Sequence, residues 1–222
     1  QRQMCIRDSA KNYAERHGVP KWYDDADALI NDPEVNAIYI ATPPNVHLYY
    51  TQKAAAAGKP VYVEKPMART YAECEAMIAA CQQANVPLFV AYYRRALENF
   101  KAIKNWIEDS TIGDIRFVDI QVHKPIRPDI VGASQNLANW RTDPEIAGGG
   151  YFYDLACHQL DIMDFLFGPV TRASGYSLNQ AGVYPADDIV IGQFQFASGL
   201  PGQGSWCFST SQNAQKEITT IY

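Results

Sequence analysis

The sequence lacks several features that would at once assign it to a class of protein. No apolar run approaches the roughly 20 residues of a membrane-spanning helix, and no segment resembles a secretory signal. The chain has 19 Lys and Arg against 24 Asp and Glu, and it has no basic run. This charge balance argues against nucleic acid or an anionic membrane surface as a partner.

Motifs for several kinds of chemistry are also missing. There is no G-x-G-x-x-G, no P-loop and no G-x-S-x-G nucleophile motif in the 222 residues. The five cysteines are an odd number and include no Cys-x-x-Cys pair. Cys74 and Cys81 lie seven positions apart on one face of a predicted helix, where buried free thiols are the usual explanation. We expect a reducing, cytoplasmic location.

The first half of the chain alternates between strand and helix patterns. Apolar strands are predicted at Asn36–Ala41, Val61–Val63 and Val86–Tyr93, with helical segments between them. Asn45 is predicted to cap the first of these helices, which ends at Gly58. Strands and helices that alternate at this spacing indicate a parallel sheet.

After Arg95 the pattern changes to segments in which apolar and polar residues alternate. Such alternation predicts an antiparallel or mixed sheet with one solvent-exposed face. We therefore predict an α/β protein: a truncated Rossmann-type parallel-sheet domain, then an α+β domain with an open, mostly antiparallel sheet. The predicted boundaries are residues 10–95 for the first domain and 96–222 for the second, with residues 1–9 non-native.

The strand Val61–Val63 runs directly into Glu64-Lys65-Pro66. If the strand is buried, its carboxyl end places a lysine and a carboxylate at the edge of a sheet, where ligands bind in α/β proteins. The alternative is a surface turn with two solvated charges and a proline that stops the strand.

A predicted helix from Tyr151 to Phe167 carries Asp154, His158 and Asp161 at positions i, i+4 and i+7. A carboxylate one turn from an imidazole can fix the tautomer that a general base needs. The alternatives are a solvated polar face or, more weakly, a metal site that would include Cys157.

Two further motifs precede this helix. Gly148-Gly149-Gly150 does not fit a phosphate loop and is interpreted as allowing close backbone approach. Trp140 and Arg141 could stack and bind an anion, although such pairs also occur on ordinary protein surfaces.

The order and spacing of these motifs resemble the Gfo/Idh/MocA oxidoreductases, the family of glucose-fructose oxidoreductase and inositol dehydrogenase. The matching motifs also include the segment 37–47 (A-I-Y-I-A-T-P-P-N-V-H) and Ala57-Gly58-Lys59. The resemblance implies a domain that binds NAD or NADP and a second domain that helps to enclose a sugar or polyol substrate. It also implies a homo-oligomer, a dimer or tetramer, and a cis bond between Lys65 and Pro66.

The resemblance also implies roles for individual residues. Lys65, Asp154 and His158 would form the catalytic set and meet across the domain cleft, with His158 exchanging the hydroxyl proton while hydride moves to or from nicotinamide. The residues that match cofactor-lining positions are Thr42, Pro43, Asn45, His47, Glu64, Trp140 and Arg141. No metal is expected.

One departure from the family concerns the cofactor. The family's glycine-rich first turn, and the residue that selects NAD or NADP, would precede residue 10. We therefore expect the 222 residues alone to bind dinucleotide poorly and to be inactive.

Two alternative functions stay open: an NAD-dependent glycosidase with transient redox, and a non-catalytic nucleotide-binding regulator. The residues that could line the cleft, with surface or core roles as the alternative for each, are Tyr92, Tyr93, Arg94, His123 and Arg127.

Overall fold

The computed structural model describes residues 2–126 and 139–222. The chain forms two compact units, and short segments of the second unit interrupt the first unit along the sequence. The first unit contains residues up to 42, 46–64 and 72–90, and the second contains 43–45, 65–71 and the described residues from 91 onward. The predicted boundary at residue 95 and the non-native origin of residues 1–9 stay predictions.

The first unit is built on a parallel sheet of three short strands. These are β1 (Ile38–Ile40), β2 (Val61–Val63) and β3 (Leu88–Val90), adjacent in chain order. Ile38, Ile40, Val61 and Val63 are buried, because alternate side chains of β1 and β2 share one face of the sheet. The predicted parallel sheet is confirmed.

Four helices accompany this sheet. They are α1 (Arg2–His17), α2 (Ala26–Asn31), α3 (His47–Ala56) and α4 (Tyr71–Gln83). Gly58 follows α3 with a positive φ of 70°, as predicted for a helix end. The predicted cap by Asn45 is wrong. Residues Pro44–Val46 form a 3₁₀ turn, and Val46 occupies the N-cap position without a side-chain hydrogen bond.

The second unit is built on a five-stranded sheet. Its strands are β4 (Val118–Pro125), β5 (Val170–Leu178), β6 (Ile189–Phe196), β7 (Pro201–Thr210) and β8 (Lys216–Ile221). They lie in the order β5-β6-β7-β4-β8, and only the β4–β7 pair among them is parallel. The predicted α+β unit with a mostly antiparallel sheet is therefore confirmed.

Helices cover one face of this second sheet. The described helices are α5 (Glu98–Glu108), the short α6 (Pro144–Ala147) and α7 (Cys157–Phe167). Val118, Ile120 and Val122 of β4 pack in one core with Ile162 and Met163 of α7. The intervening residues of β4 lie on the opposite face because side chains alternate along a strand.

The helix predicted from Tyr151 to Phe167 is not α-helical throughout. Residues Phe152–Ala156 form a π-helical turn, and α7 begins only at Cys157. A π-helix pairs residue i with i+5, so the regular α-helical spacing assumed for Asp154 does not hold there. Such turns occur frequently at functional sites.

Across the described residues, no helix is long and apolar enough to span a membrane.

Candidate active site

The site is built around Lys65, which follows β2 in the chain. The Lys65–Pro66 peptide bond is cis, as the family resemblance predicted. Residues 65–71 pack with the second unit, and the guanidinium of Arg69 donates to the carbonyl oxygen of Glu145 at 2.8 Å. Lys65 therefore belongs to the second unit, although the strand before it belongs to the first.

Lys65 and Asp154, 89 positions apart in the chain, are in direct contact. The Lys65 Nζ atom lies 2.7 Å from Asp154 Oδ1 and 3.0 Å from the Asp154 carbonyl oxygen. The two side chains are 19% and 13% exposed. An ion pair this shielded from water interacts more strongly than one on the surface, and the ammonium group is held in one place.

The π-helical turn contributes to this contact through its backbone. The Asp154 carbonyl oxygen accepts from Lys65 and also lies 3.5 Å from the Cys157 sulfur, a donor to it. Burial raises the pKa of the Cys157 thiol to about 12. Cys157 therefore stays a protonated, unreactive packing residue beside the site.

Arg141 approaches Asp154 from the other side. Its Nε atom lies 3.3 Å from Asp154 Oδ2, at an angle that makes this an ion pair rather than a hydrogen bond. The Arg141 guanidinium also stacks on Trp140, 4.2 Å from the ring centroid. The predicted Trp140–Arg141 stack is confirmed, and in the described structure the anion beside it is Asp154.

Asn139 holds this segment in place and was not predicted as a site residue. Its side-chain oxygen accepts from the Arg141 backbone N–H at 3.2 Å, which caps the 3₁₀ turn Trp140–Thr142. Its side-chain nitrogen donates to the Tyr151 hydroxyl at 2.6 Å. The capping preference of Asn just before Trp140 was the available sequence signal.

His158 is buried, with 6% of its surface exposed. The rings of Tyr92 and Tyr93 lie edge-on to it, with centroids 6.5 and 5.9 Å away. Arg94 lines the same small pocket as His158, of about 240 Å³. Three of the five residues predicted to line a cleft therefore surround the predicted general base.

Of the other two, His123 has a different partner. His123 alternates with the core residue Val122 along β4, and its Nε2 atom lies 2.9 Å from the Ser205 hydroxyl. Arg127 lies outside the described residues.

The polar stripe of the predicted helix is not a solvated face. Asp161 is 8% exposed, and its carboxylate accepts from Arg95 Nε at 2.6 Å. Burial raises the pKa of Asp161, although the Arg95 charge opposes this effect. Within the described ranges, no group of three or more His, Cys, Asp or Glu residues could hold a metal ion.

The glycine triplet makes close contacts, as predicted. A Cβ at Gly148 would lie 2.8 Å from the Arg69 carbonyl oxygen, and one at Gly150 would lie 2.6 Å from Ala186 Cβ. Both glycines also have positive φ angles, 87° and 64°. A side chain at these positions would displace the start of the π-helical turn.

Three of the predicted cofactor-lining residues belong to the first unit. His47 is fully buried and donates from Nε2 to the Thr42 carbonyl oxygen at 2.7 Å. Glu64 accepts a hydrogen bond from the Tyr39 hydroxyl. Pro43 and Asn45, assigned to the second unit, lie in the segment that joins β1 to α3.

Thr42 provides a test of whether a dinucleotide fits this sheet. Thr42 follows β1, and its hydroxyl is buried without a hydrogen-bond partner among the described residues. Ligands of open α/β sheets bind at the carboxyl ends of the strands, so an unpaired hydroxyl there fits a polar cofactor group. A glycine-rich turn for the diphosphate is absent from the 222 residues.

The chain matches two family models over most of its length. Residues 5–92 match the model described as an oxidoreductase family with an NAD-binding Rossmann fold. Residues 100–221 match the model of the GFO/IDH/MocA C-terminal domain. The first description agrees with the predicted cofactor class, NAD or NADP.

Individual proteins agree with these matches. The chain is 38% identical over 214 residues to Oxidoreductase P35 of Formosa agariphila, covering 96% of the chain and 65% of that protein. It is 30% identical to myo-inositol 2-dehydrogenase of Thermotoga maritima, covering 88% of the chain and 56% of that protein. The chain thus spans less than two thirds of these relatives.

A solved structure shares the fold. The WlbA dehydrogenase of Bordetella pertussis, in complex with NADH and UDP-GlcNAcA, superposes with a TM-score of 0.85 at 26% identity. The match covers 97% of this chain and 60% of that one.

Proposed function

Because the chain belongs to the Gfo/Idh/MocA oxidoreductase family, we propose that it carries the catalytic residues of an NAD(P)-dependent dehydrogenase or reductase. The proposed reaction moves a hydride between nicotinamide and a CH–OH or carbonyl group of a sugar or polyol. Named relatives include an inositol dehydrogenase and a dehydrogenase bound to a sugar nucleotide, which supports this substrate class.

The observation that carries the proposal is the contact between Lys65 and Asp154. A lysine at the end of a parallel strand meets a carboxylate from a π-helical turn 89 positions later, in a setting that is mostly shielded from water. Structural ion pairs also occur in proteins, but this one joins the two motifs that the family resemblance marks as catalytic.

In the proposed mechanism Lys65 donates a hydrogen bond to the reacting oxygen of the substrate. Asp154 keeps the ammonium group in position through its carboxylate and its carbonyl oxygen. His158 takes the hydroxyl proton during oxidation and returns it during reduction, with Tyr92 and Tyr93 restricting its ring. Such a positioned acid–base group contributes about 100-fold to 10,000-fold to the rate.

The bound nicotinamide would supply or accept the hydride, which is the cofactor's own chemistry. Thr42 and Glu64, at the carboxyl ends of β1 and β2, are the residues of the first unit that we propose to hold it. Their oxygens suit the hydroxyl and amide groups of a nicotinamide riboside.

The proposal is tested in a fusion protein in which the N-terminal segment of the Thermotoga maritima relative, where the family resemblance implies a glycine-rich turn, precedes Ala10. We expect the fusion to reduce NAD⁺ or NADP⁺ with at least one compound from a panel of neutral sugars and polyols. Replacing Lys65→Met in the fusion should lower the rate by about 100-fold or more while NADH affinity is unchanged.

The matched control is Lys101→Met. Lys101 is a half-exposed lysine of α5 that pairs with Glu98, so its removal should not change the rate. Turnover that survives Lys65→Met would contradict the mechanism. Substrate hydrolysis with no net change in NADH absorbance would instead identify transient redox chemistry.

A further inference from the structure

The loop of residues 179–187, which joins β5 to β6, contacts two segments of the candidate active site. The Ala186 N–H donates to the Thr142 carbonyl oxygen at 3.2 Å. The Ala186 side chain also packs against Gly150, where an added Cβ would lie 2.6 Å from Ala186 Cβ. Thr142 directly follows Arg141, and Gly150 lies just before the π-helical turn. One buried alanine therefore contacts both segments.

These two segments supply the partners of an ion pair. Arg141 lies in the first, and Asp154 lies in the π-helical turn after the second, with Arg141 Nε 3.3 Å from Asp154 Oδ2. The same Asp154 carboxylate binds Lys65. The separation of the two segments therefore sets the distance between the Arg141 and Asp154 side chains, and Ala186 contacts the segments on both sides of that separation.

The base of the loop is fixed by Asp188, the residue just before β6. Its side chain is buried, and its Oδ1 and Oδ2 atoms accept from the backbone N–H groups of Gln180 and Ala181, both at 2.8 Å. The Asp188 backbone belongs to the sheet, because its N–H donates to the Leu178 carbonyl oxygen and its own carbonyl oxygen accepts from Phe208. The carboxylate therefore ties the start of the loop to the sheet.

Hydrogen bonds inside the loop extend this restraint from its base toward Ala186. The Asn179 Nδ2 atom donates to the Tyr184 carbonyl oxygen at 2.7 Å. The Asn179 Oδ1 atom accepts from the Gly182 N–H at 3.0 Å. The position of Ala186, two residues after Tyr184, therefore depends on how the start of the loop is held.

The Asp188 carboxylate is committed to its backbone partners. Among the residues that the structure describes, no lysine, arginine or histidine forms an ion pair with it. A carboxylate that is removed from water is stable only when hydrogen bonds replace its hydration, so the two N–H groups are needed where they are. Hydrogen bonds to a charged acceptor are also about twice as strong as neutral ones. Both properties favour a single conformation of the loop.

We propose that Asp188 is a positioning residue of the candidate active site. Its carboxylate fixes the base of the loop, and Ala186 at the far end of the loop then holds Arg141 and Asp154 at ion-pair distance. The inference rests on the proposed function for the role of Asp154. It adds a residue that acts on the site only through other residues.

Amide hydrogen exchange of the 222-residue chain, followed by NMR, tests the anchoring. Asp188→Asn keeps the shape of the side chain but replaces one acceptor oxygen with an NH₂ donor that faces a backbone N–H. We expect the Ala181 and Ala186 amides to exchange about 10-fold faster or more, because the loop opens locally. The Phe196 amide, hydrogen-bonded at the other end of β6, should not change.

Asp109→Asn is the matched control for the loss of a carboxylate. Asp109 also accepts from a backbone N–H, that of Thr111, but it does so at an exposed turn. This variant should leave the exchange of the Ala186 amide unchanged. The anchoring is refuted by unchanged Ala186 exchange in Asp188→Asn, or by an equal acceleration in both variants.

Asn179→Ala keeps the proposal testable if Asp188→Asn does not fold. Asn179 is exposed, so its loss leaves no buried charge without a partner, yet it removes the hydrogen bonds inside the loop. The Ala186 amide should again exchange faster, by about 3-fold or more. Exchange as slow as in the unchanged chain would show that the loop does not extend the restraint, and it would overturn the proposal.

Steady-state kinetics of the fusion protein test whether the loop acts through the ion pair. Asp188→Asn should lower kcat about 10-fold by misplacing Asp154, and Arg141→Met removes the ion pair itself. The double variant should lose less than the product of the two single losses, because no ion pair is left for the loop to hold. A loss equal to that product is expected of a purely structural residue and would overturn the proposal.

These outcomes are distinguishable from failure of the proposed function. The exchange measurement uses neither cofactor nor substrate and leaves Lys65 intact. Unchanged Ala186 exchange would therefore remove the inference and leave the Lys65→Met comparison standing. A fusion protein that does not reduce NAD⁺ or NADP⁺ would contradict the proposed function and leave the measured exchange rates unaffected.

Discussion

Asp154 is the residue on which the local charge balance depends. Its carboxylate lies between the Lys65 ammonium and the Arg141 guanidinium, and 13% of the side chain is exposed. Two cations that share one partly buried anion repel each other when that anion is lost. Asp154 therefore stabilises the second unit as well as positioning the lysine.

Replacing Asp154→Asn should lower the free energy of unfolding by about 1–3 kcal/mol, because Lys65 and Arg141 would remain near each other without their counter-charge. The measurement is urea denaturation followed by circular dichroism. Asp164→Asn is the control. The Asp164 carboxylate is 48% exposed and pairs with Arg95 at 3.0 Å, so its loss should cost less than about 1 kcal/mol. Equal losses in the two variants would contradict the assigned role.

Among the secondary-structure elements, the π-helical turn Phe152–Ala156 does the most to place the site. The glycine triplet before it lets the chain pass close to Arg69 on one side and Ala186 on the other. The turn then offers the Asp154 carbonyl oxygen to Lys65. The tight backbone packing before the turn and the contact between Lys65 and Asp154 within it are therefore connected.

Gly148→Ala tests this connection. An added Cβ at Gly148 would meet the Arg69 carbonyl oxygen, whereas Gly199 has a similar φ of 90° and open space around it. Gly199→Ala should cost about 1–2 kcal/mol from backbone strain alone, and Gly148→Ala should cost roughly 1–3 kcal/mol more from overpacking. Urea denaturation of both variants makes the comparison. Indistinguishable variants would show that the close approach is easily relieved.

At the scale of the whole molecule, the described structure carries the side chains that we propose as catalytic but few groups that could hold a dinucleotide. The first unit has three parallel strands, and the 222 residues contain no G-x-G-x-x-G turn. In dinucleotide-binding folds that turn brings backbone N–H groups and a helix N-terminus to the diphosphate.

The chain by itself should therefore bind NADH and NADPH more weakly than about 0.1 mM. A fluorescence titration of the 222-residue chain with each nucleotide provides the measurement. The fusion protein is the positive control and should bind at least one of the two nucleotides more tightly. A micromolar dissociation constant for the unmodified chain would contradict this prediction.

The oligomeric state and the cytoplasmic location stay predictions.

Much of the fold follows from local patterns that a sequence displays directly. Val61–Val63 and the neighbouring apolar segments predicted a parallel sheet, and the half-polar segments after Arg95 predicted a mostly antiparallel one. The motif around Pro66 predicted a cis bond through the family resemblance. These features depend on residues close together in the chain, so side-chain periodicity and motif order are enough to determine them.

Other features were decided only by tertiary structure. The π-helical turn replaced a predicted α-helix, and a 3₁₀ turn replaced the cap at Asn45. The sequence by itself determined which chemical groups are present and in what order. Tertiary structure decided that Lys65 meets Asp154 rather than solvent. Such contacts depend on packing between residues far apart in the chain, which local propensity does not encode.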